Sequence, residues 1–220
     1  APAPHAHYAI SLLMGNVTIK RSGKQLRAKA ELPLHDGDRI RVAANSTATL
    51  VLNQMEIQLS ESTTLTLRSI KAAEKRAKLH SGRMEVSAPD QNEDQLVLSI
   101  SKNDMYLRFH KGRTAVLSDG HGMVSVASLA GTLQLKGTPQ ERLTPNMQYT
   151  FFAGKRGRLT TVDPTLKLRT YQPLYIKTEK TKMVLKGQTS SGTLLLHQGR
   201  YLRSNPAGRY QVPHNVAPGT

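Results

Sequence analysis

Apolar and polar residues alternate along most of this chain. Val17 and Ile19 alternate with Thr18 and Lys20, and Met55, Ile57 and Leu59 alternate with Glu56 and Gln58. The same spacing returns at Leu65 and Leu67, at Met84, Val86 and Ala88, at Leu96, Leu98 and Ile100, and at Met105, Leu107 and Phe109. It continues through Val124, Val126, Leu133 and Leu135 to a last strand of this run over Tyr149 to Phe152. Period-two alternation turns one face of a strand to a core and the other to water. Turn residues punctuate the pattern at Ser22-Gly23-Lys24, Asp36-Gly37, Ser60-Glu61-Ser62, Ser81-Gly82-Arg83, Asp119-Gly120 and Leu143-Thr144-Pro145-Asn146. Asp-Gly supplies the positive φ of a two-residue hairpin turn. Asp36-Gly37 therefore predicts a hairpin, with Gly37 at the turn and Asp36 and Asp38 capping it. Gly120 and Gly131 are read as turn glycines too. Strands about 10 residues apart with glycine turns predict an all-β fold, an antiparallel roll or sandwich of short strands.

One segment reads two ways. Ile70 to Lys78 places good helix formers in a row, which suits a short helix or a strand pair joined by a basic loop; the strand pair is preferred. From Gly154 to Pro173 the alternation lapses among Lys, Arg, Thr and two prolines. Alternation resumes at Met183–Leu185, Thr193–Leu196 and Tyr210–Val212, three short strands. The expected organisation is a flexible N-terminus over 1–9, a β domain over 10–153, a basic linker over 154–173 and a small C-terminal β module over 174–220.

Composition narrows the function. No apolar run approaches the roughly 18 residues of a membrane-spanning helix. The chain has no cysteine, which excludes thiolate catalysis, disulfides and cysteine-metal centres. It carries 31 Lys and Arg against 15 Asp and Glu, a formal charge of +16. Such a chain is drawn to polyanions: nucleic acid, anionic lipid, lipopolysaccharide phosphates or acidic cell-wall polymer. The start, Ala1-Pro2-Ala3-Pro4, resembles what remains after signal-peptide cleavage at a small-residue site. Export to the periplasm or cell envelope is expected.

The motifs together resemble the FecR domain family. They are Gly15-Asn16-Val17-Thr18-Ile19, Leu34-x-x-Gly37-Asp38-Arg39-Ile40, Ala48-Thr49-Leu50, Leu65-Thr66-Leu67 and Leu79-x-Ser81-Gly82. Later come Val124-Ser125-Val126, Gly131-Thr132-Leu133-Gln134-Leu135 and Leu143-Thr144-Pro145-Asn146. The resemblance runs from about Ile10 to Phe152. It implies an all-β, extracytoplasmic bacterial domain, which in the founding members passes a signal from an outer-membrane receptor to a sigma factor. Gly112-Arg113-Thr114 carries an insertion where that family places a Gly-Thr pair before Val116. The fit is better with stand-alone exported FecR-like proteins. Residues from Met183 to Gly219 are similar to bacterial Ig-like modules, but a complete one needs roughly 80–100 residues. The resemblance implies a small or incomplete module completed by further sequence or by a partner.

Candidate chemistry is sparse. Ser118, Asp119 and His121 share one turn, whereas a catalytic triad converges from separate elements. Asp36 and Asp38 lack further oxygen ligands at calcium-loop spacing. His5 and His7 could share a metal in an extended chain, but sit in a terminal segment. No metal or other cofactor is expected. Two basic clusters remain as contacts for a polyanion or partner. The first holds Arg68, Lys71, Lys75, Arg76, Lys78 and Arg83 around Glu74. The second runs through Lys155, Arg156, Arg158, Lys167, Arg169, Lys177, Lys180, Lys182 and Lys186, with only Asp163 and Glu179 as counter-charge. Aromatics make up 5% of the chain, too few for the stacking platforms of single-stranded nucleic acid; Tyr171 and Tyr175 are the nearest candidates. The expected function is a non-enzymatic scaffold or interaction module of the bacterial cell envelope, with other envelope proteins as partners. The alternatives are a module that binds anionic envelope polymer (cell wall or lipopolysaccharide) or carbohydrate, and a transmembrane signalling regulator of the FecR type.

Overall fold

The computed structural model describes residues 8–100, 105–136, 141–152, 157–162, 169–170, 182–189, 193–197, 200–205 and 207–215. The chain forms two compact units, Ala1–Val162 and Asp163–Thr220. Every regular element among the described residues is a strand.

In the first unit, β1 (Tyr8–Met14), β2 (Val17–Arg21), β3 (Lys24–Arg27), β4 (Arg39–Val42), β5 (Thr47–Leu52), β6 (Met55–Leu59) and β7 (Thr64–Ser69) precede a 15-residue strand, β8 (Glu74–Ala88). After it come β9 (Gln95–Ile100), β10 (Tyr106–Phe109), β11 (Gly112–Ser118), β12 (Val124–Ala130) and β13 (Leu133–Lys136). The unit ends with β14 (Glu141–Leu143), β15 (Met147–Phe151) and β16 (Arg158–Thr161). The first half of β8 pairs with β7 and β9; its second half pairs with β6 and β11. One sheet therefore runs β3-β2-β4-β7-β8-β9-β10-β13-β14, and the other β1-β5-β6-β8-β11-β12-β15-β16. Ile19, Ile40, Leu65, Leu79 and Leu98 of the first meet Leu50, Ile57, Val86, Val116 and Val126 of the second in a single buried core. The fold is an all-β sandwich.

Gly82 lies where β8 changes sheet. It adopts φ 96°, and a Cβ there would stand 2.4 Å from Thr63 Cα. Thr63 is buried and clasps the crossing: its hydroxyl donates to Arg83 O and accepts from Arg83 N, both at 3.0 Å. The turn expected at Ser81-Gly82-Arg83 is instead a bend inside a continuous strand. A glycine with positive φ can re-aim a strand as well as reverse it, and sequence spacing does not separate the two.

Asp36-Gly37 also differs from its expected hairpin. β3 and β4 do not pair with each other; both pair with β2. Asp38 is wholly buried, and its role reaches beyond the local turn. Its two carboxylate oxygens accept from Arg21 Nε and Nη2 at 2.7 Å, and one also accepts from His35 N at 2.9 Å. Asp36 Oδ1 accepts from Ile70 N at 2.8 Å. The two acids tie this turn to β2 and to the loop after β7. Between Ile70 and Lys78 the chain makes that loop and then the start of β8. Against the antiparallel expectation, the β8–β9 ladder is parallel. The stretch read as linker from Gly154 contains β16, which pairs with β15. Gly157 packs so closely on Tyr149 that a Cβ would meet the phenol oxygen at 1.7 Å.

Lys75 departs furthest from expectation. Read as a surface cation for a polyanion, it is 1% exposed. Strand parity places it on the inward face of β8 beside Ala77 and Leu79. Its Nζ lies 2.8 Å from Asp94 Oδ2, donates to Ala72 O at 3.1 Å, and sits 5.4 Å from the Tyr8 ring centre. Asn53 Nδ2 donates to Asp94 Oδ2 at 2.8 Å, and Asn92 Nδ2 donates to Asp94 O and His110 O. This cluster links the β5–β6 turn of one sheet to the entry of β9 in the other. Burial pushes the Asp94 carboxyl up; the hydrogen bonds from Lys75 and Asn53 and the Lys75 charge outweigh it and hold the group below the usual carboxylate range.

The second unit contains β17 (Arg169–Thr170), β18 (Lys182–Gln188), β19 (Leu194–His197), β20 (Arg200–Arg203) and β21 (Arg209–Asn215). β17, β18 and β21 form one sheet, and β19 with β20 a hairpin. That is more strand than the three short runs predicted from alternation. His197 Nε2 and His214 Nδ1 stand 3.1 Å apart, joining the hairpin to β21.

Two outcomes test this account. Gly82→Ala should cost about 3 kcal/mol or more, because φ strain and collision with Thr63 add. Gly37→Val should cost about 1–3 kcal/mol from strain alone, since nothing lies within 4 Å of a Cβ there. Urea midpoints rank the two, and equal losses would show that the crossing accepts a side chain. Lys75→Met should cost about 3–5 kcal/mol by stranding Asp94, and adding Asp94→Asn should restore part of that loss. Asp94's folded pKa lies below its unfolded value of about 3.9. Its contribution is thus complete above that pH and lost as pH falls through the folded value. The acid limb of the stability curve should shrink in Lys75→Met.

Candidate functional site

Strand parity that buries Ile19, Ile40, Leu65 and Leu79 turns their neighbours to solvent on the outer face of the β3–β14 sheet. β2 contributes Thr18 and Lys20, β4 Arg39 and Arg41, β7 Thr64, Thr66 and Arg68, and β8 Arg76, Lys78 and His80. Further along, β10 adds Tyr106 and Arg108, β13 Lys136 and β14 Arg142, with Arg27 of β3 at the opposite edge.

Registry aligns these side chains into rows across the strands. Lys20 stands opposite Arg39, Arg39 opposite Thr66, Thr66 opposite Lys78 and Lys78 opposite Ser99. The row continues through Tyr106 to Lys136. Seven strands about 4.8 Å apart make it about 29 Å long. A second row reads Arg27, Thr18, Arg41 and Thr64. Cations and hydroxyls are thus interleaved. Glu74 is the acid that shares the face, and it is held by Arg76 at 2.6 Å.

The outer face of the other sheet contrasts with this. Glu56 and Glu85 stand there with Arg83, Arg113 and Arg158, and Arg113 pairs with Glu85. The excess positive charge of the described sandwich is therefore concentrated on one of its two faces.

On the basic face lies an open groove of about 730 Å³. Its lining includes Thr18, Lys20, Arg39, Arg41, Thr64 and Ser81, with the short apolar stretch Val42-Ala43-Ala44 among them. No carboxylate lines it. Beside it His80 is half-buried, its Nε2 2.9 Å from Thr66 Oγ1. Burial, and then the charges of Arg39, Lys78 and Arg68, push the His80 pKa down. Near neutral pH it is an uncharged hydrogen-bonding group among cations.

The expected site residues are scattered. Arg68, Arg76 and Lys78 belong to this face; Lys71 is exposed in the loop before β8. Arg83 and Arg158 belong to the other sheet. Lys186 is exposed on β18, where Lys182 begins the strand. Lys155, Arg156, Lys167, Lys177 and Lys180 lie outside the described residues, as do Tyr171, Tyr175, His5 and His7. Gly120 and Gly131 adopt φ 74° and 78°. Around Gly120, Asp119 Oδ1 accepts from the backbone N–H groups of His121, Gly122 and Met123, so Asp119 braces the turn rather than orienting His121 toward Ser118. Among the described residues no three metal-ligating side chains gather. Lys20, Arg39, Arg41, Arg108, Lys136 and Arg142 were not singled out from the sequence. Their signal is the basic residue at alternate polar positions of separate strands, which becomes a cluster only once strand order is known.

Arg39→Gln or Lys78→Gln should raise the His80 pKa, read from its imidazole resonances against pH, and so should added salt. Arg113→Gln on the other sheet should leave it unchanged. An unmoved His80 in the first two variants would show that the face does not act as one field.

No protein-family profile and no curated protein sequence matches this chain. Two crystal structures of a candidate anti-sigma factor from Parabacteroides distasonis, at 1.65 and 2.50 Å resolution, are similar to it. Each matches with a TM-score of 0.50 at 12% identity, over 57% of this chain and 60% of that one. At that identity the likeness establishes a shared β fold over about three-fifths of the other protein's length.

Proposed function

We propose that this chain is a non-enzymatic, FecR-like binding module of the bacterial cell envelope, working outside the cytoplasm and docking an anionic partner on its basic sheet face. The observation that carries the reading is the segregation of charge: cations from β2, β4, β7, β8, β10, β13 and β14 share one face with Glu74 as the described acid. A field of one sign over an extended surface raises the local concentration of polyanions and speeds their capture. The fold likeness to the Parabacteroides distasonis protein supports the FecR-like part of the reading. In the second unit, the sheet and hairpin are read as a small Ig-like module.

That same likeness favours a second reading, a signalling regulator of the FecR type. Cross-linking in cells separates them: capture by an outer-membrane receptor supports signalling, whereas recovery with envelope polymer supports the first reading.

The binding test uses an immobilised polyanion. Arg39→Glu/Arg41→Glu/Lys78→Glu should elute from a heparin column at much lower salt than the parent. Arg83→Glu/Arg113→Glu/Arg158→Glu, with the same charge change on the other sheet, should elute near the parent. Equal shifts would mean that net charge, not this face, governs binding.

A further inference from the structure

The basic face does more than collect charge. One of its rows alternates cations with hydroxyls and the other mixes them, and the residues lining its groove include Thr18, Arg41, Thr64 and Ser81. A ligand that offered only anionic acceptors would use the cations and the O–H donors and leave the hydroxyl lone pairs to water. A ligand with hydroxyls beside each charge can exchange hydrogen bonds with both sets.

Resting on the reading of this face as the docking surface, we propose that its occupant is a linear polymer of hydroxylated units, each carrying a carboxylate or phosphate, with one unit seated in the groove. The groove's volume of about 730 Å³ lies within the about 300–1,000 Å³ of ligand sites and leaves room for one such unit and the chain on either side of it. Its lining is more polar than apolar, with three cations beside Val42, Ala43 and Ala44, where a site for an apolar ligand would be mostly hydrocarbon. Arg41, with Lys20 and Arg39, holds the anionic group. Thr18, Thr64 and Ser81 supply hydroxyls that both donate and accept, as a polyol requires. The polymer runs across the strands along the Lys20–Lys136 row, so that anionic groups spaced along it meet Arg39, Lys78 and Lys136.

Two other polyanions fit less well. Single-stranded nucleic acid binds through aromatic platforms between cations, and among the described residues of this face the aromatic is Tyr106 on β10, two strands beyond the groove-lining β8. Polyphosphate accepts from the threonine hydroxyls but has no donor to return to their oxygens, so it uses only half of their hydrogen-bonding capacity.

The test measures binding of the full chain to five probes at about 150 mM ionic strength: polygalacturonate, poly(glycerol phosphate), polyphosphate, oligo(dT) and neutral dextran. One or both of the first two should bind, which also identifies carboxylate or phosphate as the group held. Arg41→Gln should weaken that binding about tenfold, as loss of a charge-assisted contact implies. Thr18→Val/Thr64→Val, which keeps β-branched residues in the strands, should weaken it about fivefold with unchanged melting, and should weaken binding of polyphosphate less, because only the donor half of each hydroxyl is lost there. Arg113→Gln should change nothing. If polyphosphate or oligo(dT) binds as tightly as the hydroxylated polymers, or if the threonine variant binds them like the parent, the polymer assignment fails while the docking face stands. If no charged probe binds, or Arg41→Gln and Lys20→Gln leave all binding intact, the docking face itself fails.

Discussion

The sandwich depends on one strand serving two sheets. β8 has 15 residues, long beside the usual strand of about 5–6. Its halves pair with different neighbours, so the two sheets cannot slide or separate without breaking one ladder. That constraint fixes Gly82 at the crossing, where Thr63 leaves no room for a Cβ. It also explains the parallel β8–β9 pairing. β8 finishes within the other sheet, and the loop through Asn92 and Asp94 carries the chain back beside the strand's beginning. The Lys75–Asp94 pair closes this return. A buried ion pair adds little net stability against an apolar pair of the same shape, but removing one partner is costly. Its contribution here is to specify where β9 enters, since Asp94 also accepts from Asn53 of the opposite sheet.

The basic face follows from the same architecture. Each strand gives alternate residues to the core and to water, so a run of basic residues in sequence is divided between the two faces. The cluster around Glu74 illustrates this: Lys75 enters the interior, while Arg76 and Lys78 remain outside. Conversely, Lys20, Arg39 and Lys78, which are far apart in sequence, become near neighbours because β2, β4, β7 and β8 lie side by side. Their mutual repulsion is tolerated because all are open to solvent and screened. It is felt most by the half-buried His80, whose pKa is lowered.

The sequence alone determined the all-β class, most strand positions and the inward residues, because burial of alternate side chains is a local pattern that any strand must display. It also determined the sign of the charge, and from the scarcity of aromatics it weighed against nucleic-acid stacking. Only the tertiary structure decided strand order, the sheet-crossing role of Gly82 and the burial of Lys75 and Asp38. A glycine's positive φ is the same in a turn and in a strand bend, and Asp38 looks like a turn cap until Arg21 arrives from β2. The candidate site was legible only in fragments, Arg68, Arg76 and Lys78, because a sheet face is assembled from residues distant in the chain. Which cations become neighbours is set by backbone pairing between strands, and that pairing follows from how the whole core packs.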